Sequence, residues 1–556
     1  MRRAAVEKGA EMVSPVIPTD AALPAAQRDK TLPELLAEHA RAHADRLFLQ
    51  EADGPQLTYG AAYDRALRWA NVLRELGIGP GARVATMLDN CLDGPILWTA
   101  ASILNAVDVS VSTGYRGALL AHALNLSEAR VLYADVQALE ALAAVVSDLK
   151  SVETLIVRGT KSADAPEFPF AVHWAEDLIA DTPAIEPSAP PRAHDVACVV
   201  FTSGTTGPSK GVMLAWAALS SGSTALNDAL NDEDVLYLTS PANHLIARIQ
   251  ILTAAQVGAT VVLKRAFKTQ DFWSDIDRYG CTYSTLVGAM AHFIMSQPES
   301  PNDAGHSLRR VTISPIHPRL DDLTRRFGIT HVNTAFGMTE VPSPIRVKWN
   351  AIENIESCGR VPSGWPGWEV RLVDEFDGEV PVGEVGELIV RTAVPWTLAT
   401  GYLGMPEQTA LAWRNGWFHT GDAFRQDVEG RFYFVDRMKD SIRRRGENVS
   451  SFEVEAEVNA HPDVAESAAI AVHADDEGDE IKIFVVPVAG CSLDPEDLVR
   501  FLMPRMARYM IPRFVEVVES MPKTPTQRVK KVELRERQPG DVWDRVAAGV
   551  ELPSRS

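Results

Sequence analysis

The sequence predicts an α/β protein, with a large N-terminal domain of several subdomains that combines βα-layered sheets with a β-rich region, and a small α+β C-terminal domain. Three observations carry this expectation. The chain has 556 residues, more than one compact core absorbs. Short apolar strands alternate with helical segments from Val84 to Thr334, the pattern of parallel strands with helices on both faces. After Asp436 the texture changes to that of a small α+β unit, so the domains are expected at 1–436 and 437–556.

In chain order, Thr31-Leu-Pro-Glu34 reads as a capping box with proline in the first turn, opening an amphipathic helix through LLAEHARAHA. Leu47–Leu57 reads as a hairpin, and AAYDRALRWANVLRELG as a helix stopped by Gly77. Val84–Leu88, Val107–Val111, Val131–Ala134 and Leu155–Val157 are strands, separated by helical segments such as ILWTAASILNA and VQALEALAAVVSDL. The proline-rich stretch Asp181–Asp195 is an irregular connector. A second βα series runs from Val196 to Thr334, and Glu356–Tyr402 is β-rich with many glycines and prolines. In the C-terminal unit Ser450-Ser-Phe-Glu453 is a second capping box, AESAAIAVHADDEGDEIKIFVVPV is two strands around an acidic turn, and Asp494-Pro495 caps a helix.

Composition narrows the function. Apolar residues at 46% and charged residues at 23% are ordinary for a globular protein. A formal charge of −20 repels a phosphate backbone, which argues against a nucleic-acid partner. The five cysteines form no CxxC pair and are expected as reduced, packed thiols of a cytoplasmic protein. The basic start lacks the apolar run of a signal peptide, and no apolar stretch of about 18 residues exists to span a membrane.

The strand Val196–Phe201 leads into Thr202-Ser-Gly-Thr-Thr-Gly-Pro-Ser-Lys210-Gly211, with a helix expected from about Leu214. Glycines Gly204, Gly207 and Gly211 let backbone amides turn toward an anion. The hydroxyls of Thr202, Ser203, Thr205 and Thr206 can donate to phosphate oxygens, and Lys210 adds a positive charge. It is not the P-loop of kinases and GTPases, where lysine directly follows the second glycine.

This loop resembles the signature of the adenylate-forming superfamily of acyl-CoA synthetases, luciferases and peptide-synthetase adenylation domains. Further matches follow in order: Phe336-Gly-Met-Thr-Glu340, Gly386-Glu-Leu388, Gly401-Tyr402, Thr420-Gly-Asp422 and Asp436-Arg-Met-Lys-Asp440. Together they cover about residues 30–535, and DSIRRRGENVSSFEVE is similar to the crotonobetaine/carnitine–CoA ligase-like branch. The resemblance implies an enzyme that joins a carboxylic acid to ATP as an acyl-adenylate and passes the acyl group to coenzyme A, with Mg²⁺ as cofactor.

It also implies residue roles. Thr339 and Glu340 lie beside the α-phosphate, with Glu340 and Thr202 toward the metal. Ala335, Phe336, Gly337 and Met338 border the nucleotide. Asp422 accepts from ribose hydroxyls and Arg437 approaches the same sugar. His244 lies by the acyl pocket, although a lone histidine can equally be structural. The family's catalytic lysine pattern is altered to Pro522-Lys-Thr-Pro-Thr-Gln-Arg528-Val-Lys-Lys531. Arg528 takes the lysine's place with a different reach, and Lys530 and Lys531 are alternatives. Lys439 is the implied hinge of a mobile C-terminal domain, and the basic run that follows, Arg443-Arg-Arg-Gly446-Glu-Asn448, would line the coenzyme A channel, with Arg443 and Gly446 against the coenzyme. The acyl pocket is expected near Tyr283–Met290, Ser314–His317 and Thr334–Phe336. Two other readings stay open. One is an adenylating enzyme with another acceptor or oxyanion, such as a carrier-protein thiol or diazotase-like activation of nitrite. The other is an inactive nucleotide-binding homologue. A homodimer also stays open.

Overall fold

Local capping chemistry starts the fold. The Thr31 backbone N–H and hydroxyl both donate to the Glu34 carboxylate at 2.8 Å, and the helix Leu32–Ala42 turns Leu32, Leu35 and Leu36 inward. The helix Tyr59–Glu75 begins with Thr58 accepting from the Ala61 amide, and the chain leaves it through Gly77 in the left-handed region at φ 79°. The computed structural model describes residues 30–552, apart from 162–164, 186–188, 203–208, 227–228, 318, 439, 441, 445–446, 476–477, 525–527 and 539.

Two eight-stranded sheets dominate. In the first, the strands Val131–Asp135, Arg83–Met87, Val107–Ser110 and Val196–Thr202 run parallel side by side, with Thr154–Arg158 and Ala171–Trp174 continuing one edge. The second sets Thr260–Leu263, Val235–Leu238, Tyr283–Val287, Arg310–Ser314 and His331–Phe336 in parallel. The early hairpin, Leu47–Glu51 with Gln56–Thr58, joins this second sheet, where Leu49 pairs with Val261. Between the sheets, Trp98 and Trp216 stack at 5.1 Å and the Trp98 indole donates to the Ala197 carbonyl at 3.0 Å. Arg158 of the first sheet reaches Glu51 of the second at 3.1 Å and Asp93 at 3.0 Å. Among the described residues no helix is long and apolar enough to cross a membrane.

The β-rich region is a four-stranded antiparallel sheet of Trp368–Val373, Val385–Thr392, Phe418–Gln426 and Phe432–Arg437. The next strand, Ile442–Arg444, belongs to a six-stranded C-terminal sheet whose centre is the pair Val464–Asp475 and Gly478–Pro487. Ser450 ties the two sheets: its hydroxyl donates to the Val435 carbonyl and accepts from the Glu453 amide, capping the helix Ser451–Val458. Asp494 caps Pro495–Leu502 as expected.

One expectation is refined and one corrected. The helix expected from about Leu214 starts at Trp216, but it is preceded by a strand, Lys210–Ala215, paired antiparallel to Val196–Thr202. Buried Val212 and Leu214 alternate with the partner strand's register, which favours sheet over helix here. The expected helix VQALEALAAVVSDL breaks into Val136–Ala138, Leu139–Ala143 and Val146–Asp148, two of them 3₁₀ turns. All five cysteines are free, and burial pushes the Cys91 and Cys198 thiols up to about 12.

Candidate active site

The ends of the sheets meet where the motif residues gather. Thr202 and Lys210 are register partners at the mouth of the phosphate hairpin, and the Ser209 hydroxyl closes its base by donating to the Thr202 carbonyl at 2.9 Å. Residues Ser203, Gly204, Thr205, Thr206 and Gly207 lie outside the described residues. The Lys210 ammonium stands 4.4 Å above the ring of Tyr402. The same ring's hydroxyl donates to Glu340 at 2.8 Å, so one aromatic residue spaces the loop cation from the buried carboxylate.

Glu340 arrives on the loop after the strand His331–Phe336. That loop is tight at Gly337, where a Cβ would stand 2.8 Å from the Ser343 nitrogen, and Met338 and Val341 exchange backbone hydrogen bonds across it. Burial raises the Glu340 carboxyl above its usual range, opposed by the Tyr402 hydrogen bond and the charges of Arg437 and Lys210. A carboxylate so placed gains from a nearby cation, and this donor chemistry fits a hard metal completed by phosphate oxygens. Thr339, partly buried, precedes it on the same loop, and Phe336 packs edge-on to Phe424 at 4.7 Å. Ala335 offers its carbonyl to the Ser314 hydroxyl at 2.8 Å.

Asp422 is the most telling residue. It is fully buried, and neither carboxylate oxygen receives a hydrogen bond among the described residues, although Arg437 Nε lies 2.7 Å away as an ion pair. Burial pushes its carboxyl up to about 6, held there against Arg437 and Arg528 and assisted by Glu340 and Asp436. A buried carboxylate with unspent lone pairs beside two guanidinium groups is built to accept from hydroxyl donors, and ribose is such a donor. Its turn is fixed from behind: the Glu387 carboxylate accepts from the Gly421 amide at 3.0 Å and contacts His419 Nδ1 at 3.0 Å, while the Thr420 hydroxyl accepts from the Asp422 amide.

Comparison with known proteins agrees with this geometry. The sequence pattern of the AMP-binding enzyme family matches residues 36–403, and that of the AMP-binding enzyme C-terminal domain matches 453–528. The chain belongs to the AMP-binding enzyme family. The crotonobetaine/carnitine–CoA ligase of Salmonella enteritidis is 30% identical over 491 residues, covering 86% of this chain and 93% of that protein. ATP-bound MatB from Rhodopseudomonas palustris superposes with a TM-score of 0.77 at 26% identity, over 91% of this chain and 98% of the other. The anthranilate CoA ligase AuaEII in complex with anthranoyl-AMP gives a TM-score of 0.81 at 22% identity, over 92% and 98%, a likeness of fold.

In this AMP-binding enzyme, of the three C-terminal candidates Arg528, Lys530 and Lys531, the cation whose charge bears on Asp422 is Arg528. Its amide donates to the Thr524 hydroxyl at 3.0 Å, and its guanidinium acts electrostatically on Asp422 and Arg437 from within a crowded cleft, while its side chain stays open to the cleft solvent. Lys530 is directed elsewhere, to Glu533 at 2.7 Å on the surface, and Lys531 pairs with Glu455 at 2.7 Å. His244 caps the helix Leu245–Val257, its Nδ1 accepting from the Ile246 amide at 3.3 Å, and burial pushes it down to about 4. Among the described residues it makes no hydrogen bond or ion pair with Glu340, Thr339 or Asp422. In the basic run, Arg444 turns inward: it pairs with Glu480 at 2.6 Å and donates to the Tyr509 and Ile511 carbonyls. This corrects the expectation that the whole run lines a channel, because a buried guanidinium is held by the partners that neutralise it. Arg443 lies on the strand Ile442–Arg444, whereas Lys439 and Gly446 lie outside the described residues. Sequence reasoning gave no role to Tyr402 or Glu387, although both stand in the ordered motifs Gly401-Tyr402 and Gly386-Glu-Leu388.

Proposed function

We propose that this enzyme is an acid–thiol ligase: it forms an acyl-adenylate from ATP and a carboxylic acid, releases pyrophosphate, and transfers the acyl group to coenzyme A. The observation that carries this reading is Asp422, buried against Arg437 and under the charge of Arg528, with neither carboxylate oxygen hydrogen-bonded among the described residues. Asp422 receives the ribose hydroxyls, and Thr202, Lys210 and the glycine- and hydroxyl-rich sequence between them hold the β- and γ-phosphates. Arg437 and Arg528 offset the repulsion between the incoming carboxylate and the α-phosphate. A carboxylate oxygen attacks the α-phosphorus as the bond to pyrophosphate breaks. The thiol then adds to the acyl carbon and AMP departs.

Glu340, with Thr202, would hold Mg²⁺, which supplies positive charge to the transferring phosphate oxygens. His244 is neutral near pH 7 and serves as a polar, uncharged wall beside the acid. Arg528 and the thiol must occupy the same approach in turn, so a unit of residues 437–556 turns about Lys439 and brings Arg443 and Gly446 to the coenzyme A channel. The cysteine pattern supports a cytoplasmic enzyme.

The test is pyrophosphate release over fatty, aromatic and small polar acids, with and without coenzyme A, for the native enzyme and Arg528→Ala. The expected result is turnover dependent on coenzyme A that drops at least about a hundredfold in the variant, the usual scale for losing a charged group aimed at the transferring phosphate. Release indifferent to coenzyme A would instead indicate a carrier-protein thiol or another acceptor. An Arg528→Ala variant as active as the native enzyme would remove Arg528 from adenylation.

A further inference from the structure

The three parallel strands beneath the expected acyl pocket have two unlike faces. Register pairs Thr285 with Thr312 and Thr312 with Asn333, so these three residues form one row across the sheet. On the opposite face Leu286, Ile313 and Val332 pack into an apolar cluster with Phe272 and Phe327. The face bearing the polar row continues upward by one pleat, about 7 Å, to Ser314 and Ala335, at the strand ends that lead to Glu340. A polar row buried at that depth is where the tail of an acid would reach.

The hydrogen bonds along the row run in one direction. Gln250 Nε2 donates to Thr285 Oγ1 at 2.7 Å, and Asn333 Nδ2 donates to the Ala225 carbonyl at 3.1 Å. Between them Tyr283 OH lies 2.8 Å from Thr285 Oγ1 and 2.9 Å from Thr312 Oγ1, and Thr312 donates to Asn333 Oδ1 at 2.6 Å. Since Thr312 gives its proton to Asn333, Tyr283 donates to Thr312 and Thr285 to Tyr283. Every hydroxyl proton is thereby used, and Gln250 must present its amide N–H to Thr285. The group left over is Gln250 Oε1, which is an acceptor. It is buried without a partner among the described residues, on a side chain 1% exposed.

Ile249, the residue before Gln250 on the same helix, is closely packed. Gly222, in the neighbouring helix Trp216–Ser223, has Ile249 pressed into the notch left by its missing side chain, with Pro342 at its other flank. A long alkyl tail would have to displace Ile249 and would leave Gln250 Oε1 unpaired.

The geometry points to a short carboxylic acid whose chain carries a hydrogen-bond donor, a hydroxyl or an N–H, as the acid this enzyme activates, with Gln250 Oε1 receiving that donor. This inference rests on the ligase reading above. Acid-dependent pyrophosphate release is measured with matched pairs, 3-hydroxybutyrate against butyrate and 4-hydroxybutyrate against pentanoate, for the native enzyme and for Gln250→Leu. The native enzyme is expected to favour the hydroxy acid of at least one pair by about tenfold or more in kcat/KM. Gln250→Leu should bring that pair to within about twofold, chiefly by improving the alkyl acid. Thr285→Val, which removes the partner that orients the Gln250 amide, should weaken the preference in the same sense if Gln250→Leu does not fold. Native preference for alkyl acids in both pairs, or a preference that survives both substitutions, overturns the inference while leaving the ligase intact. Absence of pyrophosphate release with every acid of the broad panel instead defeats the ligase reading itself.

Discussion

Asp422 pairs a cost to the empty protein with a use in the loaded one. Its folded-state carboxyl titrates at about 6, above the ordinary value of 3.8, so the native state holds this proton more tightly than the unfolded chain does. Its contribution to stability is therefore greatest below pH 4 and is lost as pH rises through 6. Asp422→Asn should make the ligand-free protein more stable at pH 8 by about 1–3 kcal/mol, with the gain gone near pH 4, as read by urea unfolding at the two pH values. The same substitution should lower kcat/KM for ATP by about a hundredfold, because a charge-assisted acceptor is lost. A variant that is less stable at pH 8 yet turns over ATP normally would make the carboxylate purely structural. At this scale the sequence was informative where chemistry sits in a short motif, as for Asp422 after Thr420-Gly421 or Glu340 after Thr339. It was silent on Tyr402, whose meaning depends on Glu340, 62 residues away, and on Lys210, on the neighbouring strand of its own sheet but far off in sequence. It left Arg528 and Lys530 as alternatives because reach depends on where Glu533 captures Lys530.

Among the elements, caps and strand alternation were legible and the phosphate loop's exit was not. Glycine and hydroxyl composition describes a cradle equally well before a helix or before a returning strand, and pairing with Val196–Thr202 decides between them. The consequence is that the segment leaving this loop brings a strand rather than a helix N-terminus and its dipole, with the Lys210 charge at its start. The strand Ile442–Arg444 carries a sharper contrast. Arg444→Ala removes the buried ion pair with Glu480 inside the C-terminal sheet and should cost about 3–5 kcal/mol in denaturant unfolding. Arg443→Ala should leave unfolding unchanged and raise the KM for coenzyme A several-fold. Equal stability of the two variants would contradict this division of labour.

At the scale of the whole molecule, the alternation of strands and helices correctly announced layered parallel sheets, but not which sheet each strand would join. The hairpin at Leu47 is local in sequence, yet its partner is chosen by register with Thr260–Leu263, which no nearby residue signals. The proposed turning of the C-terminal unit makes its own prediction. Proline at Lys439 fixes φ, so Lys439→Pro should spare pyrophosphate release to within a few-fold and reduce thioester formation by about tenfold or more, measured as separate half-reactions. Equal loss of both would mean that Lys439 is not a pivot. The placement of the first strand also dictates a timetable. The Leu47 carbonyl accepts from Thr260, 213 residues further along the chain. At ordinary synthesis speeds that partner emerges about 10–40 s later. During this interval the newborn hairpin has an open edge and no neighbour, and whatever shelters it then governs how much enzyme a cell obtains.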